Sequence, residues 1–223
     1  MINNKKTYYQ LILDRSGSMS SCAEEAVSGF NEQVQQIKSL QERYPEQEFL
    51  VSLTTFSGEM TLDVDRIKAG AVQELYVRGW SKFSRRKAGI EYRPSGRTAL
   101  YDAIGHSISH LRREVDAEVA KDEATVVVVI ITDGWENASR EYSYASIQRL
   151  IGELEATEDW TFSYMGSTPD SVDIAVNLNI KERNAMYFEK RFIKKTYEDL
   201  SDNLDSYASE KQASRKPKDF LKK

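Results

Sequence analysis

The sequence predicts an α/β fold, a doubly wound and mostly parallel sheet with one antiparallel edge strand and helices on both faces. Three observations carry this expectation. Short apolar runs alternate with amphipathic helical stretches along the chain, the pattern of a sheet whose crossovers are helices. The block Thr125 to Thr132 is uniformly β-branched, too apolar for a half-exposed strand, so it belongs at the sheet centre, covered on both sides. Two further apolar runs are joined by Ser57-Gly58-Glu59, a three-residue turn containing glycine that folds them into a hairpin and makes one strand antiparallel.

Taken in order, Thr7 to Leu13 reads as the first strand. A helix follows, with Ser21-x-x-Glu24 as a capping box and Val27, Phe30, Val34, Ile37 and Leu40 as its buried stripe, and Pro45 ends it. Glu48 to Phe56 and Met60 to Val64 are the hairpin strands. Leu100, Ile104, Ile108, Leu111 and Val115 mark a second helix that begins just after Thr98. Beyond the central strand, Ser143 caps a helix with Ile147, Leu150, Ile151 and Leu154 facing inward, and Trp160 to Met165 forms the next strand. A short helix near Asp170 to Asn177 and a strand near Ala185 to Phe188 precede the last helix. There Thr196-x-x-Asp199 is the expected cap, and Tyr197, Leu200, Leu204 and Tyr207 form the docking face. One domain is thus expected over 1–208. The remainder, 209–223, carries Lys211, Arg215, Lys216, Lys218, Lys222 and Lys223 and reads as a solvated basic tail.

Composition fits one ordinary domain: 223 residues, 40% hydrophobic and 10% aromatic, can bury a sizeable core. No stretch approaches the ~18 consecutive apolar residues of a membrane span, and Met1 to Lys6 runs into a strand without a secretory apolar segment. A single cysteine, Cys22, excludes an intrachain disulfide and fits a reducing compartment. A cytoplasmic protein is expected. The net charge of −4 carries no global signal for polyanions.

The chemistry lies in three loops. Asp14-Arg15-Ser16-Gly17-Ser18 stands directly after the first strand, Thr98 lies in Ser95-Gly96-Arg97-Thr98, and Asp133-Gly134 follows the central strand. Because the carboxyl ends of parallel strands feed loops that converge at the switch point of an open sheet, Asp14, Thr98 and Asp133 should meet. Every candidate ligand is oxygen, which suits a hard divalent cation, Mg²⁺ first and Mn²⁺ second, whereas zinc prefers cysteine and histidine. Ser16, Ser18 and Thr98 are neutral, so Asp14 and Asp133 only balance the divalent charge and the ligand set falls short of an octahedron. The open position suits an acidic residue of a protein partner, which supplies both an oxygen and a negative charge.

At these five residues the sequence resembles the von Willebrand factor A family, whose metal-ion-dependent adhesion site uses Asp-x-Ser-x-Ser, a threonine and a later aspartate. It is also similar to stand-alone bacterial and phage members through Tyr92 to Ile104 and Thr132 to Tyr142, and the likeness runs to about Ala208. The resemblance implies a doubly wound sheet, direct metal contacts from Ser16, Ser18 and Thr98, and largely water-mediated ones from Asp14 and Asp133. It implies a metal-dependent protein-binding module, some members of which work beside AAA+ ATPases or in stress-response operons. It implies no known reaction.

Other features have two readings. Gly17 and Gly134 allow tight loop geometry or close approach, and both read as structural. The polar segment Glu136 to Tyr142 can overhang the site and read a ligand, but Asn137, Ser139 and Glu141 are better read as fixing the loop and opening the next helix. Arg78, Lys82, Arg85, Arg86, Lys87, Arg93 and Arg97 form a basic run leading into the Thr98 loop, either a solvated insertion or a rim for an acidic partner. Trp80, Phe83 and Tyr92 interleave with it, a weak signal for single-stranded nucleic acid. His106 and His110 share a helical face but lack further zinc ligands nearby, and Cys22 lacks a paired histidine. An adaptor is favoured over an enzyme, since no phosphate loop, nucleophile elbow or Asp-x-Asp pair is present. The alternative is a metal-dependent phosphohydrolase or nucleotide-handling enzyme, which lacks an obvious general base.

Overall fold

A computed structural model of the chain describes residues 6–77 and 89–212. In chain order its elements are β1 (Lys6–Asp14), a 3-10 turn Gly17–Cys22, α1 (Ala23–Arg43), β2 (Glu48–Phe56), β3 (Met60–Lys68), β4 (Leu75–Tyr76) and β5 (Ile90–Glu91). There follow α2 (Leu100–Val119), β6 (Ala124–Thr132), α3 (Tyr144–Glu155), β7 (Trp160–Gly166), α4 (Ser171–Asn177), β8 (Ala185–Tyr187), a 3-10 turn Lys190–Phe192 and α5 (Ile193–Gln212). Met1–Lys5, the 78–88 part of the basic run, with Trp80 and Phe83, and 213–223 of the basic tail lie outside the described residues.

Six strands form one sheet in the order β3-β2-β1-β6-β7-β8. All neighbours are parallel except β3, which runs antiparallel to β2 at the edge as the glycine turn predicts. The short parallel pair β4 and β5 stands apart. From β1 the chain steps to β2 on one side, and α2 then carries it back across β1 to β6 on the other. The winding therefore reverses between β1 and β6, where Leu13 pairs with Ile131, and the loops leaving their carboxyl ends diverge around a common gap.

The strand alternation divides the core in two. Tyr9, Leu11 and Leu13 of β1 and Val127, Val129 and Ile131 of β6 face the side covered by α1 and α5. Tyr8, Ile12, Val126, Val128 and Ile130 face α2, α3 and α4. Every residue of β6 is buried, as its β-branched composition requires of a central strand. The stripe Val27, Phe30, Val34, Ile37 and Leu40 is buried throughout. Ser143 caps α3, accepting from the Ser146 amide at 3.2 Å while the Ser146 hydroxyl accepts from the Ser143 amide at 2.9 Å. No helix among the described residues is long and apolar enough to cross a membrane.

Two expected helix starts differ. Ser21 does not cap α1: Cys22 holds that position without a side-chain hydrogen bond, and the Ser21 hydroxyl donates instead to the Ser18 carbonyl at 3.3 Å. Burial of Met19 and Cys22 pulls the chain into a 3-10 turn from Gly17 onward, so the capping-box residue falls inside a turn. Likewise α5 begins at Ile193, which is fully buried, and Thr196 lies inside the helix, also buried.

The last helix also runs past Ala208 to Gln212. Lys211 is buried, its ammonium donating to the Lys6 carbonyl at 2.9 Å and to the Thr7 and Thr125 hydroxyls at 2.8 and 3.0 Å. This lysine tethers the end of α5 to the amino ends of β1 and β6, opposite the gap between their carboxyl ends. Burial pushes its pKa down to about 7, against the raising influence of Asp122, so between pH 7 and the ordinary lysine range the unfolded chain holds a proton that the folded chain has released. Stability conferred by this site therefore rises as pH rises through that window. Urea unfolding of wild type and Lys211→Met from pH 7 to pH 10 should show wild type gaining on the variant with increasing pH, and parallel curves would contradict the assignment.

Candidate metal centre

The first loop is shaped by the aspartate that ends β1. Asp14 is fully buried, and both its carboxylate oxygens accept hydrogen bonds: Oδ1 from the Ser16 amide and Oδ2 from the Thr132 hydroxyl, each at 2.6 Å. The Tyr92 hydroxyl donates to the Asp14 carbonyl at 2.5 Å. Asp14 and Thr132 meet because β1 and β6 are in-register neighbours. Burial pushes the Asp14 pKa up to about 6, with nearby Asp133 adding to the rise and the Thr132 and Ser16 hydrogen bonds opposing it. Such a carboxylate gains from any cation brought next to it.

The second loop is laced to the first by backbone. The Ser95 amide donates to the Arg15 carbonyl at 2.8 Å and the Gly17 amide to the Gly96 carbonyl at 3.1 Å, while the Ala99 amide ties the loop to Ser57 of the β2–β3 turn at 2.7 Å. Gly96 makes this possible by adopting a positive φ of 79°, a conformation that costs little only without a Cβ. Asn137 then grips Thr98 from the third loop: its side-chain oxygen accepts from the Thr98 amide at 3.0 Å, and its own amide donates to the Thr98 carbonyl at 3.0 Å. Thr98 is buried, and among the described residues its hydroxyl makes no hydrogen bond.

The third loop supplies Asp133, whose Oδ1 accepts from the Ser18 hydroxyl at 2.6 Å, while the Ser16 and Ser18 oxygens lie 3.1 Å apart. A Cβ built on Gly134 would lie 3.3 Å from the Thr98 hydroxyl oxygen and 3.7 Å from that of Ser18, so a side chain there would crowd the space these oxygens share. All five expected residues thus line loops around the β1/β6 gap. Asp133 Oδ2 is buried, and among the described residues no backbone amide or hydroxyl donates to it. A lysine ammonium, that of Lys190, stands 2.5 Å from it and 3.2 Å from the Ser18 carbonyl.

These features fit a hard divalent cation. The donor set is all oxygen; the Ser18 proton is directed at Asp133, which leaves hydroxyl lone pairs for a metal; and one carboxylate oxygen is buried with only a cation beside it. Among the described residues no three histidines, cysteines or carboxylates come together as a metal cluster, so a cation here would rely on the hydroxyls beside the two carboxylates. His106 lies 3.0 Å from a Glu141 oxygen and His110 3.2 Å from an Asp65 oxygen, so the two histidines face separate carboxylates. Cys22 is buried, and that burial pushes its thiol up to about 12, far from a reactive thiolate.

In the Glu136 to Tyr142 segment, Glu136, Asn137 and Ser139 accept from backbone amides, whereas the Glu141 side chain faces His106 instead. Glu136 accepts from the amides of Tyr101, Ala138 and Ser139, Ser139 accepts from the Asp102 amide, and Asp102 accepts from the amides of Arg140, Glu141 and Tyr142. Of the aromatics in the basic run, Tyr92 is buried beneath Asp14 and offers no stacking face. Trp135 stands at the rim, 59% exposed, with its indole N–H on Asp170. Thr132, Tyr92 and Lys190 join the site although the sequence reading gives none of them a place in it. Thr132 is legible in principle as the in-register neighbour of Asp14, whereas Tyr92 and Lys190 arrive by tertiary contacts with no local signal.

No family model matches the chain, and no curated protein matches it. Solved structures match it in fold. The mussel byssus proximal thread matrix protein 1 with a zinc-occupied MIDAS motif is 15% identical with a TM-score of 0.54, covering 92% of this chain and 47% of that one. The chain thus spans about half the length of the mussel protein. The vWF domain of the type V pilus tip protein Mfa5 from Porphyromonas gingivalis is 8% identical with a TM-score of 0.56, covering 91% of this chain and 96% of that one. Manganese-loaded TRAP protein from Plasmodium vivax is 14% identical with a TM-score of 0.52, covering 87% and 72%.

Removing the exposed Asn137 side chain takes the acceptor from the Thr98 amide but lets water reach it, so Asn137→Ala should cost about 0.5–1.5 kcal/mol, read by urea unfolding, while Asn137→Asp, which keeps an acceptor, should cost less. Equal losses would mean that Asn137 matters only through packing.

Proposed function

On the von Willebrand factor A fold that this chain adopts, we propose that Asp14, Ser16, Ser18, Thr98 and Asp133 hold a divalent cation, Mg²⁺ first and Mn²⁺ second, and that the loaded site captures a protein partner through an acidic side chain. One observation carries the proposal: three loops from distant parts of the sequence bring two buried carboxylates and three hydroxyls to one gap, with Asp133 Oδ2 buried and met only by the Lys190 ammonium. Structural neighbours with a zinc-occupied MIDAS motif and with bound manganese support the metal part. The neighbours do not single out an AAA+ ATPase or a stress-operon product, so the partner is described by its chemistry alone.

The charge balance explains why an acidic ligand suits the site. Two carboxylates neutralise a divalent ion, and the three neutral hydroxyls leave it strongly electrophilic. A partner carboxylate satisfies both its coordination and its field. The exposed Trp135 at the rim gives such a partner an apolar surface to rest on.

Mg²⁺ titration should raise the melting temperature of wild type, by an amount that corresponds to about 2.7 kcal/mol at a hundredfold excess over Kd, and leave Asp14→Ala and Ser18→Ala unmoved. Calorimetry should show Mg²⁺ binding lost in Asp14→Ala, together with metal-dependent capture of carboxylate-bearing partners. Unchanged Mg²⁺ affinity in Asp14→Ala would refute the ligand assignment. Turnover of phosphate esters or nucleotides that disappears in Asp133→Ala would replace the adaptor reading with the enzymatic one.

A further inference from the structure

Lys190 opens the 3-10 turn Lys190–Phe192 between β8 and α5, and that turn packs against the Gly17–Cys22 turn of the first loop. Its ammonium lies 2.5 Å from Asp133 Oδ2 and 3.2 Å from the Ser18 carbonyl. The Asp133 side chain is wholly buried while that of Lys190 is 35% exposed, so the lysine reaches the carboxylate from the solvent side. Among the described residues these are the polar contacts its ammonium makes.

A buried carboxylate oxygen that no amide or hydroxyl reaches needs a positive charge beside it. In this structure a group of the chain itself supplies that charge. An ammonium has protons to donate and no lone pair to offer. It therefore uses the Asp133 carboxylate and the Ser18 carbonyl, and leaves the hydroxyls of Ser16 and Thr98 untouched. A divalent ion seated among those hydroxyls would share Asp133 with the lysine, and two cations around one buried carboxylate repel strongly where water cannot screen them.

We propose that Lys190 is an intramolecular counter-ion of the metal site: it neutralises Asp133 in the metal-free protein, and a divalent cation binds in exchange for it. The proposal rests on the metal-binding reading above. Metal loading returns the Lys190 ammonium to solvent at the rim of the site, next to Arg191 and the exposed Phe192. The lysine thereby sets a threshold for the cation, since monovalent ions do not repay the loss of an ion pair that a divalent ion replaces.

Titration calorimetry of Mg²⁺ into the full chain tests this with wild type, Lys190→Met and Lys190→Arg. Lys190→Met should bind about tenfold more tightly than wild type, and Lys190→Arg, which keeps the charge, should stay near wild type. In chelator, Lys190→Met should melt below wild type because Asp133 is left without a counter-charge. Reductive methylation of wild type followed by mass spectrometry gives a readout that needs no variant: Lys190 should react faster in Mg²⁺ than in chelator. Equal or weaker Mg²⁺ binding by Lys190→Met, or methylation of Lys190 indifferent to bound Mg²⁺, overturns the counter-ion while leaving the metal site intact. Absence of Mg²⁺ binding from both wild type and Lys190→Met overturns both readings, whereas binding by Lys190→Met alone supports the counter-ion in its strongest form.

Discussion

The parallel pairing of β1 with β6 is the constraint on which the rest of this molecule depends. Both strands are buried on both faces, and the winding reverses between them, so their outgoing loops must part around a gap. A carboxylate stands at the end of one strand and just past the end of the other. The in-register pairing brings Asp14 against Thr132 and sets Asp133 beside them. Helices α1 and α5 cover one face of the sheet, and α2, α3 and α4 the other, with α2 lying on the β1/β6 pair itself.

Concentrating two carboxylates at the edge of a dry core creates a charge problem, and the surrounding structure is organised to answer it. Asp14 takes donors from Ser16 and Thr132 on both oxygens, which partly offsets its burial. Asp133 takes one proton from Ser18 and one ammonium from Lys190. The loops that carry the hydroxyls are held by backbone hydrogen bonds and by the Asn137 and Glu136 clamps. Their oxygens are thereby set in place before any ligand arrives, which spares a binding event the cost of ordering them.

Much of this is legible in the amino-acid sequence. The uniform apolar block of β6 reads as a central strand because a strand covered on both sides has no use for polar residues. The glycine turn at Gly58 reads as a hairpin, and the Asp14, Ser16, Ser18, Thr98 and Asp133 set reads as one cluster because parallel strands deliver their loops to one edge. Helix starts are less legible. The capping signals at Ser21 and Thr196 are overridden by burial of Met19, Cys22 and Ile193, since a helix begins where the core anchors it as well as where a side chain can cap it. Lys211 has the sequence context of a solvated tail, yet its stem and ammonium fill the foot of the sheet between β1 and β6.

The class of fold, the strand at its centre and the oxygen donors at its switch point are all legible in the order of the residues. These are properties of local periodicity and of residue types placed directly after strands, and both are written in short windows. Which groups hold those donors in place and balance their charge was settled by tertiary contacts alone. Tyr92 beneath Asp14, Asn137 on Thr98, and Lys190 on Asp133 are contacts between segments far apart in the chain. No local pattern encodes them, because each depends on where the finished sheet and its helices bring two unrelated loops together.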